Sequence, residues 1–419
     1  MTQFQKTTLD SGLRVLSQRH HDVHSVNVGV WIHAGAVYEN DDERGLAHLL
    51  EHLVFKGTQK RSMTQIARAM DDIGGQMNAF TERELVCYHV KVLSDHLPRA
   101  LELLCDFVAR PTLAQDQLDL ERGVVLEEIK GVEDEPEEWV SDLFAETLWP
   151  NSRWGRPILG TAESVSKLST DDLRRFMCNH YTPRDVVVAA TGDVDHEKLV
   201  KLSQKLLKDL PTTSSTRSAS IPAAPKVCAN NAQIERETEQ VHLCIGTQGF
   251  AVDDDRRYAS FLLDSILTGG YSSRLFQEIR EKRGLCYSIG GTSVSYRTTG
   301  MWAVETSCAP KSARKVVEII SRELRRVRDK GVTKSEWKRA QEMARINVLL
   351  AEESVGAQMN RIARNELYLG RQKPLQETLR DLQNVSIDDV QAVANEMFQA
   401  ETINLAAIGP LEKPLCVEL

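Results

Sequence analysis

Two stretches of this chain, about half its length apart, follow one pattern. SVNVGVWIHAG from Ser25 and QVHLCIGTQG from Gln240 both read as strands ending in Gly. GLAHLLEHLVFKG from Gly45 and RYASFLLDSILTG from Arg257 follow them, and both have the apolar spacing of a helix. Setting Ala47 on Ala259 also sets Leu50 on Leu262 and Gly57 on Gly269. Further on, LSTDDL from Leu168 matches VSIDDV from Val385, each a Ser-capped helix start with an acid three residues on. VVVAATGD from Val186 then matches INLAAIGP from Ile403. One α+β unit of roughly 200 residues therefore occurs twice. The Ser-, Thr-, Ala- and Pro-rich stretch PTTSSTRSASIPAAPK lies between the copies and has no apolar period, so it reads as a linker. The expected organisation is a first domain over 1–210, a linker over 211–227 and a homologous second domain over 228–419.

Composition narrows the function classes. A net charge of -8 and no Lys/Arg block argue against a nucleic-acid partner. No apolar run is long enough to span a bilayer, and the polar start MTQFQKTTLDSGLRV lacks an apolar signal core, so a cytoplasmic place without membrane attachment is expected. The eight cysteines form no CxxC pair and are irregularly spaced, which predicts reduced, mostly buried thiols.

Only the first copy carries chemistry at its repeated helix. His48-Leu49-Leu50-Glu51-His52 places two imidazoles four residues apart, one above the other on a helical face. At the His positions the second copy has Ser260 and Asp264. Two His plus one carboxylate, with a position left open, is the donor set of catalytic zinc. Glu51 lies at the edge of the same face, able to reach a water at the open position without being a ligand. The order H-x-x-E-H is a known zinc-peptidase motif. An amphipathic helix with surface His residues is the competing reading, since Leu46, Leu49, Leu50, Leu53 and Val54 form a core stripe. A third ligand is expected on another element. In ERGVVLEEI, Glu121 and Glu128 lie seven apart on one helical face, so Glu128 can bind metal while Glu121 accepts a hydrogen bond from a ligand His. Glu127 points about 100° away, and periodicity alone does not choose between Glu127 and Glu128.

GLAHLLEHLVFKGT, GGQMNAFTERE, ERGVVLEEI and SSRLFQEIREKRGLCYSI together resemble the pitrilysin/insulinase family of inverted-motif zinc peptidases. The similarity is greatest to its processing-peptidase-like bacterial branch and covers nearly the whole chain. It implies one Zn²⁺ per chain on His48, His52 and Glu128, with Glu51 as base and Glu121 in support. It also implies that the two α+β domains form one half of a clamshell chamber, and that chains of this length pair as homodimers. Asn78, Ala79, Phe80 and Thr81 match the family's substrate-binding edge strand, to which an extended peptide adds as a further strand. Arg280 and Tyr287 match a family pair: Tyr287 would serve the oxyanion and Arg280 the substrate backbone, reaching the zinc of the other subunit. Glu138 and Asp142 match positions that grip an arginine upstream of the cleaved bond, and their i, i+4 spacing suits one guanidinium.

The Gly-rich loop of noncatalytic processing-peptidase subunits is absent; only Thr268-Gly269-Gly270-Tyr271 stands nearby. No mitochondrial presequence is recognisable. The expected activity is zinc-dependent endoproteolysis of peptides or unfolded segments, with a preference for basic residues near the cleaved bond. The alternatives are a noncatalytic scaffold subunit of the same fold, or a catalytic subunit that needs a different partner chain.

Overall fold

A computed structural model describes residues 3–212, 221–411 and 413–419. Most of the expected linker, 213–220, lies outside the described residues. The chain divides into two compact units. The first comprises Met1–Ile129, Pro157–Ile221 and Ala351–Gln372; the second comprises Lys130–Arg156, Pro222–Leu350 and Lys373–Leu419.

The first unit holds a six-stranded sheet. Its strands are β1 (Gln3–Thr8), β2 (Arg14–Arg19), β3 (Ser25–Ile32), β4 (Gln76–Thr81), β5 (Val86–Leu93) and β6 (Val186–Gly192), in the order β1-β2-β6-β3-β5-β4. β2 and β6 run parallel; the other neighbours are antiparallel. β6 is buried along its whole length and β3 at every residue but its first, as their near-continuous apolar runs require. β4 is an edge strand.

The second unit holds β7 (Asn230–Glu235), β8 (Val241–Gly249), β9 (Cys286–Ser295), β10 (Gly300–Cys308) and β11 (Asn404–Gly409), in the order β7-β11-β8-β10-β9. β7 and β11 run parallel, the rest antiparallel. This is the β2-β6-β3-β5-β4 arrangement strand for strand. The last hairpin repeats too: Glu82 N–H donates to Leu85 O after β4, and Tyr296 N–H to Thr299 O after β9, both at 2.8 Å.

Each sheet takes one covering helix from the other half of the sequence. Helix Pro136–Leu148 packs on β7, β8 and β11, with Val140, Phe144, Ala145 and Leu148 buried. Pro136 at its start ends the preceding helix Gln115–Asp134 and supplies a preset φ for the new one. Helix Val355–Arg364 packs on β2, β3 and β6. Its Met359, Ile362 and Ala363, with Leu367, close over Leu16, Trp31, Cys87, Val187 and Ala189. Polar ties fasten the same segment: Thr191 Oγ1 donates to Val355 O, Gln18 Nε2 to Gln358 Oε1 at 2.7 Å, and Lys6 pairs with the buried Glu366 at 2.7 Å.

All eight cysteines are free. Cys87, Cys105, Cys244 and Cys308 are buried, but Cys178, Cys228 and Cys416 are exposed, so burial is less general than the sequence suggests. Among the described residues no helix is long and apolar enough to cross a membrane.

In the second copy, the repeated helix Arg256–Leu267 carries Ser260 and Asp264 where the first has His residues. Ser260 is buried against the Met397 sulfur. Asp264 Oδ1 accepts from Trp302 Nε1 and Thr268 Oγ1, both at 2.9 Å. These are packing roles within one unit.

Ile362 is 1 % exposed, so Ile362→Ala is expected to cost about 2–4 kcal/mol in urea unfolding, through lost burial and the cavity left. Leu350→Ala, at an exposed position, is expected to change stability by less than about 0.5 kcal/mol. Burial holds the Asp264 carboxyl above its ordinary range, against the hydrogen bonds from Thr268 and Trp302. A carboxyl raised in this way binds its proton more tightly folded than unfolded, so its contribution is lost as pH rises through the folded value. Asp264→Asn keeps Oδ1 as acceptor without the charge. The variant is expected to melt above the parent at about pH 8, with the difference closing toward about pH 4 in calorimetry.

Candidate metal centre

The helix that bears the paired His residues, Leu46–Val54, starts in an unusual way. Gly45 at its N-cap has φ 86°, a left-handed conformation that favours glycine, and a Cβ there would lie 2.4 Å from Leu159 O. No N-cap side chain serves the first turn. The buried carboxylate of Glu39 does so from a distance, accepting from Gly45 N–H at 3.0 Å and Ala47 N–H at 2.8 Å. A carboxylate at a helix N-terminus satisfies orphan donors and complements the dipole. Leu46, Leu49, Leu50, Leu53 and Val54 are buried, which fixes the helix's rotation and therefore the direction in which its polar face points.

On that face the His48 and His52 rings lie 4.7 Å apart. The Nε2 atom of each is turned to the Glu128 carboxylate: His48 to Oε1 at 3.7 Å and His52 to Oε2 at 3.5 Å. One ligand-type atom from each of the three residues falls within 4.8 Å of the others, the one such group among the described residues. Helix Gln115–Asp134 brings the carboxylates. Its buried stripe is Leu118, Glu121, Val125 and Ile129, and Glu128 stands at the edge of that stripe, 42 % exposed. Glu127 is not in the group.

Glu121 Oε2 lies 3.3 Å from His52 Nδ1, while Lys56 Nζ lies 2.9 Å from Glu121 Oε1. With Nδ1 donating to Glu121, His52 Nε2 presents a lone pair. His48 has its imidazole pushed down to about 4, by burial first and then by His52, so it is neutral near pH 7. Its Nδ1 is buried with no hydrogen-bond partner. Two imidazole nitrogens and a carboxylate thus face one point, a donor set that a single cation can share. Ligands about 2.0–2.1 Å from a tetrahedral zinc are about 3.3–3.4 Å apart, close to the separations found. The donor set fits zinc.

Glu51 projects beside this group, and its Oε2 accepts from Thr81 Oγ1 at 2.5 Å. Burial raises the Glu51 carboxyl above its ordinary range and the Glu128 charge adds to this, while Thr81 and His52 oppose it. Thr81 ends the edge strand β4. Ala79 N–H on that strand is taken by the Asn78 side chain at 2.9 Å. Phe80 lies on the opposite face from Thr81, half-buried against Trp31 and His89 with centroids at 5.6 and 5.9 Å.

The second unit carries the remaining candidates. Arg280 lies in the π-helical turn Phe276–Glu281, and its Nε donates to Tyr287 O at 2.8 Å. Its guanidinium lies 4.9 Å from the Phe276 ring centroid. Tyr287, on the edge strand β9, is 82 % exposed. Glu138 and Asp142 are one turn apart on helix Pro136–Leu148, Glu138 exposed and Asp142 half-buried. Sequence reasoning missed Glu39 and Lys56. The Glu39 bond crosses a loop that no period describes, whereas Lys56, four residues past His52, had a readable spacing.

The family model described as Insulinase (Peptidase family M16) matches residues 14–162, and that described as Peptidase M16 inactive domain matches residues 167–344. A Streptomyces coelicolor protein named an uncharacterized zinc protease is 39% identical over 414 residues, covering 97% of this chain and 90% of its own. A Bacillus subtilis protein so named is 35% identical over 96% of this chain and 97% of its own. Among solved structures, a protease from Helicobacter pylori superposes with TM-score 0.89 at 21% identity, over 98% of this chain and 100% of that one. A structure from Pseudomonas fluorescens titled peptidase M16 inactive domain gives TM-score 0.86 at 21% identity, over 99% and 100%. Two family models in tandem, full-length relatives and a shared fold lead to one conclusion: this chain belongs to the insulinase family, peptidase family M16.

Proposed function

We propose that the chain is a zinc-dependent endopeptidase whose metal is held by His48, His52 and Glu128. The observation that carries this is the convergence of two imidazole nitrogens and one carboxylate on a single point. Names of relatives that specify a zinc protease support it. Zinc bound there supplies a Lewis acid that polarises a peptide carbonyl and makes water nucleophilic near neutral pH. Glu51 is the proton carrier. It takes a proton from the attacking water on Oε1, the oxygen that Thr81 does not hold, and returns it to the leaving amine. Glu121 orients His52 through Nδ1, and Lys56 holds Glu121.

Substrate is taken as an extended strand beside β4, along Asn78–Thr81. Backbone hydrogen bonds to an edge strand favour unfolded or flexible segments over particular sequences. Arg280 and Tyr287 serve the substrate backbone and the oxyanion, and the exposure of Tyr287 suits contact with a bound chain. Two copies of the chain pair around a chamber in this reading, each site completed by Arg280 and Tyr287 of the partner subunit, and the enzyme works in the cytoplasm. The first sequence-level domain, 1–210, supplies metal and base, and 228–419 supplies the Arg/Tyr pair.

Glu51→Gln is expected to keep about one zinc per chain by metal analysis while losing at least about 10²-fold in kcat on a quenched peptide. His48→Ala, or chelation of the parent protein, is expected to lose both metal and turnover, and zinc should restore only the chelated parent. Normal turnover by Glu51→Gln would rule out the assigned base. Glu138 and Asp142 grip a basic residue near the cleaved bond in this proposal. Cleavage of a peptide library is expected to enrich Arg or Lys there, and the Glu138→Gln/Asp142→Asn variant to abolish the enrichment; an unselective profile from the parent would refute that role.

A further inference from the structure

We propose that Thr81 is a positioning residue: its hydroxyl fixes the Glu51 carboxylate and ties the proton carrier to the strand on which substrate is laid. This rests on the role of Glu51 given above. A glutamate has three side-chain torsions, and on a helix surface its carboxylate is not held in one place by the backbone. Here one oxygen is held by a charge-assisted bond of 2.5 Å, in the short range for a hydroxyl on a carboxylate. A threonine hydroxyl has one proton to give. Since Glu51 receives it, Thr81 is not a side-chain donor to substrate, and its contribution to the edge strand is backbone alone.

The anchor itself is rigid. Thr81 is the last residue of β4, and the turn after it is pinned from three sides. Glu82 N–H donates to Leu85 O at 2.8 Å. Ala36 N–H and Val37 N–H donate to Glu82 O and Arg83 O at 3.2 and 2.8 Å. Gly35 permits that approach, because a Cβ there would lie 2.2 Å from Glu82 O. The Glu82 side chain pairs with Arg364 on the helix that comes from the other half of the sequence. Strand alternation then fixes where the hydroxyl goes. Ala79 and Thr81 face the His-bearing helix, whereas Asn78 and Phe80 face the opposite side, where Phe80 packs on Trp31. The position of the base is therefore set by the register of the strand that binds peptide, so carboxylate and scissile bond share one frame.

The test uses the full chain loaded with zinc. Thr81→Val removes the donor at nearly constant volume, and Thr81→Ser restores it. Thr81→Val is expected to lower kcat on a quenched peptide about tenfold or more, with KM within about twofold, zinc content unchanged and Thr81→Ser within about threefold of the parent. Peptide binding is measured separately in inactive protein, by titrating the peptide into Glu51→Gln and Glu51→Gln/Thr81→Val. Equal Kd within about twofold is expected if Thr81 acts only through Glu51. Parent-level kcat in Thr81→Val, failure of Ser to rescue, or weaker peptide binding in the double variant would each overturn the proposal. Full activity in Glu51→Gln would instead overturn the role of Glu51. Should valine abolish the thermal unfolding transition, Thr81→Ala makes the same comparisons.

Discussion

Two imidazole nitrogens and a carboxylate aimed at one point make a donor set for a single cation, and the first unit holds them there by packing. His48 and His52 cannot turn away, because five apolar residues bury the other side of their helix. That helix cannot slide, because Glu39 holds its first turn and Gly45 is wedged against Leu159. Glu128 is carried on a second helix whose own stripe, Leu118, Glu121, Val125 and Ile129, is buried. Hydrophobic burial is non-directional and roughly proportional to area, so it supplies the restoring force, and a few hydrogen bonds set the angle. A preset cluster of this kind gains from binding a divalent ion because little order remains to be imposed when the ion arrives.

The repeated architecture separates what the scaffold needs from what the chemistry needs. Both sheets share strand order, strand sense and the four-residue turn after the edge strand. At the repeated helix the start differs, left-handed Gly45 in the first copy and right-handed Asp255 in the second, and so do the chemistry-bearing side chains. Ser260 and Asp264 stand in the places of His48 and His52, and Leu263 in that of Glu51. Asp264 is spent on Trp302 and Thr268 within its own core. The fold thus tolerates either set, and the metal chemistry is an overlay on one copy. The covering helices are a different matter. Each unit's sheet has an apolar face closed by a segment from the other half, so neither half of the sequence contains a complete core.

How much of this could be read beforehand follows from the range of each interaction. The His48–His52 pair is local, and a helical period announces it. Glu121 and Glu128 are equally local to each other, but the choice of Glu128 over Glu127 depends on a helix–helix contact that no period encodes. The family resemblance supplied that choice, and the geometry places Glu128 rather than Glu127 opposite both imidazoles. Helices 355–364 and 136–148 each bury one face, yet a stripe does not name the sheet that buries it. The exchange of these helices was therefore illegible. So was the capping of residues 45 and 47 by Glu39, since loop closure rather than periodicity brings them together.

Strand register carries the last link between scaffold and site. In a strand, a slip of one residue turns every side chain to the other face. For β4 that slip would place Phe80 against the polar face of the His-bearing helix and remove the Thr81 hydroxyl from Glu51. The pairing Thr81↔Val86, Phe80↔Cys87 and Asn78↔His89 is protected by core on both sides: Tyr88 and Phe55 below the His-bearing helix, and Trp31, Met359 and Ile362 on the other face. Phe80 is thus a register pin, though it is only half-buried. Its ring contacts belong to the same cluster as the helix that arrives from the second half. The segment 351–372 thereby bears on where Glu51 points without touching it, through Arg364 on Glu82 and through the apolar face beneath Phe80.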